Sequence, residues 1–131
     1  MPFDAQEIFA NLAEKEKLKG HHSPEGRAIR VLSRALSGWS SPDLSVRDVI
    51  VLCDQAVEEW LKVRLRRSPW SAQALPALIQ DALKNNVITR LEAARLQKVR
   101  HLRSALRDGG ISKRHVETTL EFCIELIEKR W

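Results

Sequence analysis

Apolar residues recur along this chain at spacings of three and four, and no stretch alternates with the period of two that a half-buried strand requires. The pattern predicts six helices and no sheet. The first runs from about Asp4 to Lys19, with Phe3, Ile8, Phe9 and Leu12 on a narrow apolar face and Gly20 as its stop. Its later half, Glu14-Lys15-Glu16-Lys17, is charged nearly all round, which fits an arm docking on a partner chain as well as it fits a core helix. Ser23 caps the second helix, with Pro24 in the first turn where a missing N–H costs nothing. Ile29, Leu32, Ala35 and Leu36 share its inner face, and Gly38 reads as a stop followed by Trp39.

Ser45 and Asp48 form a capping box ahead of the third helix, about Val46 to Arg67. Its stripe of Val46, Ile50, Cys53, Val57, Trp60, Leu61 and Leu65 is wide enough to be buried on more than one side. A fourth helix, about Ala74 to Asn85, turns Leu75, Leu78, Ile79, Ala82 and Leu83 inward, and Asn86 suits a left-handed stop. Thr89 and Glu92 box the fifth, about Arg90 to Asp108, with Leu91, Val99, Leu102 and Leu106 toward the core. Gly109 and Gly110 break the chain, and Ser112 caps the sixth, Lys113 to Trp131. Val116, Leu120, Cys123, Ile127 and Trp131 face inward there; Phe122 and Leu126 lie off that stripe, placed to cover a second core helix or a partner chain.

The expectation is an all-α, up-down bundle of four to five helices, residues 23–131, preceded by an N-terminal helix or arm, residues 1–22. A chain of 131 residues has the length of one ordinary domain. No apolar run approaches the ~20 residues of a membrane span, and Met1-Pro2-Phe3-Asp4 does not resemble a secretion signal. Cys53 and Cys123 sit in apolar helical patterns, so they read as reduced, buried thiols of a cytoplasmic protein.

Charge adds the first functional clue. The net charge is +5, but residues 61–115 carry 13 Lys/Arg against 3 Asp/Glu, while residues 1–60 carry 7 against 10. A positive field of this kind attracts phosphates, acidic proteins or an anionic surface alike. On the fifth helix Arg100, Arg103 and Arg107 share one face, and no acid of that helix neutralises it nearby. Three like charges in a row favour an anion, or an acid from another helix, lying over them. Trp60, at helical spacing in an apolar stripe, reads as core; Trp70, in a connector, is placed to stack a base or to pack. His21-His22 is too short a tract for a metal site. No glycine-rich phosphate loop, Ser-His-Asp order or paired-carboxylate spacing occurs, so no cofactor or metal is expected.

Two stretches together resemble the HEPN family, the "higher eukaryotes and prokaryotes nucleotide-binding" helical domains. Ala56-Val57-Glu58-Glu59-Trp60-Leu61-Lys62 is similar to that family's Ala-x-Glu-x-x-Leu-Lys helix. Leu102 to Asp108 is similar to its Leu-Arg-Asn-x-x-x-His segment. The resemblance covers about residues 25–131. It implies a helical homodimer, and in active members a metal-independent RNA cleavage by arginine and histidine meeting across the dimer cleft. A bacterial defence or toxin–antitoxin setting is implied on the same ground.

Carried onto this sequence, the family's arginine falls on Arg103, its asparagine on Ser104 and its histidine on Asp108. Histidine shuttles protons near neutrality; aspartate among arginines is a fixed anion that repels phosphate. His115 is the next histidine, with seven residues between it and Arg107, one beyond the motif's widest spacing. His101 lies on the helix side away from the arginine row. Three readings stay open. One is a non-catalytic dimer binding RNA, a nucleotide phosphate or a partner protein through Arg100, Arg103, Ser104 and Arg107. Another is an active endoribonuclease using Arg103 with Asp108 or His115. The third is a structural dimerisation module whose arginines meet acids such as Glu58 and Glu59, with Lys62 beside them.

Overall fold

The computed structural model describes residues 5–20, 23–40, 45–68, 73–105 and 113–129; of residues 5, 6, 40, 46, 103–105, 113, 128 and 129 only the backbone is described. Among them the fold is all-helical: α1 (Ala5–Lys19), α2 (Pro24–Ser40), α3 (Val46–Arg64), α4 (Leu75–Lys84), α5 (Arg90–Ala105) and α6 (Lys113–Lys129). No helix among the described residues is long and apolar enough to cross a membrane.

The helix starts follow local chemistry. The Ser23 hydroxyl accepts from Gly26 N at 2.9 Å and donates to Gly20 O at 2.8 Å, so one side chain closes the α1–α2 turn and caps α2. Asp48 N donates to Ser45 Oγ at 3.2 Å, and Ser45 N returns a bond to Asp48 Oδ2 at 3.3 Å. The same reciprocal pair opens α5, with Thr89 N to Glu92 Oε1 at 2.8 Å and Glu92 N to Thr89 Oγ1 at 3.1 Å.

Helix ends are where local patterning falls short. Gly38 does not stop α2, which continues to Ser40; Gly38 is buried, and Trp39 packs against the core from within the helix. The ~1 kcal/mol that glycine costs inside a helix is offset here by packing. The third helix ends at Arg64 rather than Arg67, because Arg66 adopts a left-handed φ of 58°. Arg67 N then bonds Lys62 O at 2.7 Å and Arg66 N bonds Val63 O at 3.0 Å, which satisfies carbonyls that the helix leaves open. Asn86, also at φ 58°, ends α4 the same way, with Val87 N to Ala82 O at 2.8 Å.

The core is built around α3, which packs against α2, α4, α5 and α6. Ile50, Cys53, Val57, Trp60 and Leu61 are all fully buried, as a stripe covered on several sides must be. From α2, Ile29, Leu32, Ala35 and Leu36 meet it, and α1 lies along α2 with Leu12 fully buried. On α6, Val116, Leu120, Cys123 and Ile127 are buried, and Leu126 joins the same core. The inner face of α5 differs from the expected one. Val99 is buried as expected, but Leu91 is 65% exposed and Ala93 and Leu96 are buried in its place, because the helix meets α3 and α4 along the 93–96–99 row. Phe9, expected on the inner face of α1, is half exposed.

Polar contacts tie Arg67 and Gln73 to α4. Gln73 and Arg67 both donate to the Asp81 carboxylate on α4, Arg67 Nη2 at 3.4 Å. The Gln73 hydrogen bond, with the nearby Arg67 and Lys84 charges, holds the Asp81 carboxyl below its ordinary pKa.

Candidate functional site

The arginine motif falls partly outside what the structure describes. Arg103 and Ser104 lie on the last turn of α5, but their side chains are outside the described residues, and so are Arg107 and Asp108 entirely. Trp70 and the His21-His22 pair also lie outside them. Arg100 is described: it is partly buried on α5.

The other motif stretch is engaged within the chain. The Lys62 ammonium sits 3.4 Å from Glu58 Oε1 one turn earlier on α3, and its side chain is 10% exposed. Arg27 Nη2 on α2 donates to Glu59 Oε1 at 3.1 Å. Glu58 and Glu59 therefore meet cations of their own chain. Trp60, between them and Leu61, is fully buried, and its indole N–H finds no hydrogen-bond partner among the described residues.

Beside the motif end of α5 lies a cleft of about 740 Å³, bounded by α5 and α6. From α5 it is lined by Arg95, Lys98, Val99, His101 and Leu102; from α6 by Arg114, His115, Thr118, Thr119 and the Glu121–Phe122–Glu125 turn. These positions follow from helical spacing. Residues 95, 98, 99 and 102 fall on one side of α5, as do 114, 118, 121, 122 and 125 on α6. Arg100, about 200° around the helix from Lys98, is not on that side.

One contact fixes how the two helices are aligned. The Arg95 guanidinium lies 5.5 Å from the centroid of the Phe122 ring. The start of α5 (Leu91, Glu92, Arg95) shares a second cleft with the end of α6 (Phe122, Glu125, Leu126), so the two helices run antiparallel. The cleft is thus sorted by charge along its length. Lys98, His101, Arg114 and His115 gather toward the end of α5 and the start of α6. Glu121 and Glu125 lie at the opposite end with Arg95. Val99, Leu102 and Phe122 supply apolar wall between them.

This arrangement can hold an anion at one end and an apolar or aromatic group along the middle. His101, on the side of α5 away from the arginine row, and His115 both line this cleft. Arg95, Lys98, Arg114 and Phe122 do not stand out as a site in the sequence. Their helical spacing is visible there; that α5 and α6 face each other across a gap is not. Among the described residues no cluster of three or more His, Cys, Asp or Glu side chains is placed to hold a metal ion. Comparison with protein-family models, with curated proteins and with solved structures gives no match for this chain.

Proposed function

We propose that this chain is a HEPN-like helical dimer that binds RNA through the basic side of α5 and the cleft beside it, without cleaving it. The observation that supports the reading is the cleft between α5 and α6, whose lining includes Lys98, His101, Arg114 and His115 and which lies beside the last turn of α5. Phosphodiesters are the anions that such a spread of separate cations suits, since each charge takes a different phosphate. The absence of cleavage follows from Asp108, which stands where the resembled family has its proton-transferring histidine. A defence or toxin–antitoxin setting belongs to the same proposal and rests on the resemblance.

The test is equilibrium binding of a labelled single-stranded RNA at several salt concentrations, with the mass in solution measured by light scattering. Affinity that falls steeply with salt, in a protein with twice the chain mass, is the expected result. A monomer with no salt-dependent RNA affinity refutes the reading.

A second reading is favoured by one observation, that two histidines line the same cleft. A pair of imidazoles beside cations supplies a general base and a general acid for transfer at phosphorus. In that case RNA incubated with the protein and EDTA is cut, and both His101→Ala and His115→Ala abolish the cutting. Intact RNA leaves the binding reading alone.

A further inference from the structure

A second, smaller cavity lies where α1 ends, α2 begins and α3 stops, and it shares no lining residue with the α5–α6 cleft. Its volume is about 320 Å³, at the low end of the ~300–1,000 Å³ typical of small-ligand pockets. Lys19, Glu25, Val63, Arg64 and Arg66 line it, so three cations face one carboxylate and two positive charges are in excess. The Lys19 ammonium stands 3.8 Å from Glu25 Oε2, a loose pair with both side chains more than a third exposed. Arg64 and Arg66 form no ion pair with an acid among the described residues. Arg66 is also held at φ 58°, a strained conformation for any side chain. Glycine would close α3 at lower cost, and no hydrogen bond or ion pair of the Arg66 guanidinium to a described residue offsets the strain. A local rule broken with no return inside the chain points to a partner outside it.

The lining also selects the kind of anion. A ligand with an apolar or aromatic body needs a matching wall, and among these five residues only Val63 is apolar. A doubly charged oxyanion matches the excess charge and takes a charge-assisted hydrogen bond from each guanidinium. Glu25 separates phosphate from sulfate. The hydrogen phosphate dianion keeps one O–H, which can donate to a carboxylate; sulfate has no proton to give and is repelled by it. We propose that this cavity binds hydrogen phosphate, with Lys19, Arg64 and Arg66 on its charged oxygens and Glu25 accepting its O–H. The site is separate from the RNA-binding reading and does not depend on it.

The test follows thermal unfolding of the full chain at mildly alkaline pH in phosphate, sulfate and chloride matched for ionic strength, with phosphate affinity measured by calorimetry. Phosphate is expected to raise the midpoint saturably and sulfate to leave it at the chloride value. Arg64→Ala, at an exposed position, should weaken phosphate affinity about tenfold or more, the scale of one charge-assisted hydrogen bond. Arg66→Gly should unfold at a higher midpoint than the parent in chloride yet lose phosphate affinity to the same extent, which separates a ligand contact from a structural one. Glu25→Gln, whose amide can donate, should admit sulfate as readily as phosphate. RNA affinity should be unchanged in both arginine variants; a parallel loss would make the RNA backbone the occupant and overturn the phosphate site. An equal response of the parent to phosphate and sulfate, or a phosphate response that survives both arginine variants, overturns it as well.

Discussion

Among single residues, two positions illustrate constraints that side-chain type alone does not announce. Gly26 opens α2 where the chain passes close to Gly20: a Cβ there would stand 2.1 Å from the Gly20 carbonyl oxygen. The neighbour is backbone, and Gly20 itself is held at φ 92°. Gly26→Ala should therefore destabilise by about 1–3 kcal/mol, read as a lower urea midpoint, although alanine is ordinarily the better helix former. A variant as stable as the parent would show that the turn relaxes freely. The buried thiols are the second case. Cys53 on α3 and Cys123 on α6 are both free and buried. The hydrogen bond with Cys53, then burial, then the neighbouring Asp54 charge push the Cys123 thiol well above its ordinary pKa. The folded state thus holds that proton more tightly than the unfolded chain does. Its contribution is complete below the unfolded thiol's pKa of about 8.5 and declines as pH rises past it. Urea unfolding between pH 7 and 10 should show this loss of stability, and Cys123→Ala should flatten it.

Among the helices, the ends carry the information. The boxes at Ser45/Asp48 and Thr89/Glu92 are legible in sequence because a cap is a local event, made within four residues. The end of α3 is not, because arginine seldom takes a left-handed φ. Arg66 does so to close the helix, and beyond it Arg67 and Gln73 both bond Asp81 on α4. Arg66→Gly should accordingly raise stability by about 1 kcal/mol in urea titration, against the usual direction of a glycine substitution. The Asp81 contact sets an acid limit of its own. Its carboxyl has a lowered pKa in the fold, so its stabilisation is present above the ordinary carboxylate range and fades as pH falls through the folded value. Asp81→Asn should weaken that part of the acid dependence; an unaltered acid profile would place the sensitivity elsewhere.

In the molecule as a whole, α3 gathers four other helices about one buried stripe, of which Trp60 is the bulkiest member. Packing α5 and α6 on α3 leaves the space between them as the cleft. The cations of that cleft, not those of the arginine row alone, should then govern how RNA affinity responds to salt. Replacing Arg95 and Lys98 together by alanine should lower the slope of log affinity against log salt by roughly 0.7 for each phosphate that is no longer neutralised. Arg100→Ala, on another side of α5, tests the row separately. If only the latter alters the slope, the strand runs along the row and not through the cleft.

Local pattern was enough to give the all-helical class, the inner faces of α2, α3, α4 and α6, and most of the core. Ile50, Cys53, Val57, Trp60, Leu120 and Ile127 are buried where a spacing of three and four puts them, because one helix turn decides which residues share a face. The same pattern misplaces Leu91 and omits Ala93 and Leu96 from the inner row of α5, since a helix rich in charge offers several weak faces and the choice falls to its neighbours. That His101 and His115 share a space, that Arg95 stacks on Phe122, and that the charges of the cleft are sorted from end to end all depended on the assembled bundle. Periodicity sets positions around one helix axis. Which two axes lie side by side, and with what offset, depends on how separate apolar faces are jointly removed from water, and no local pattern records that.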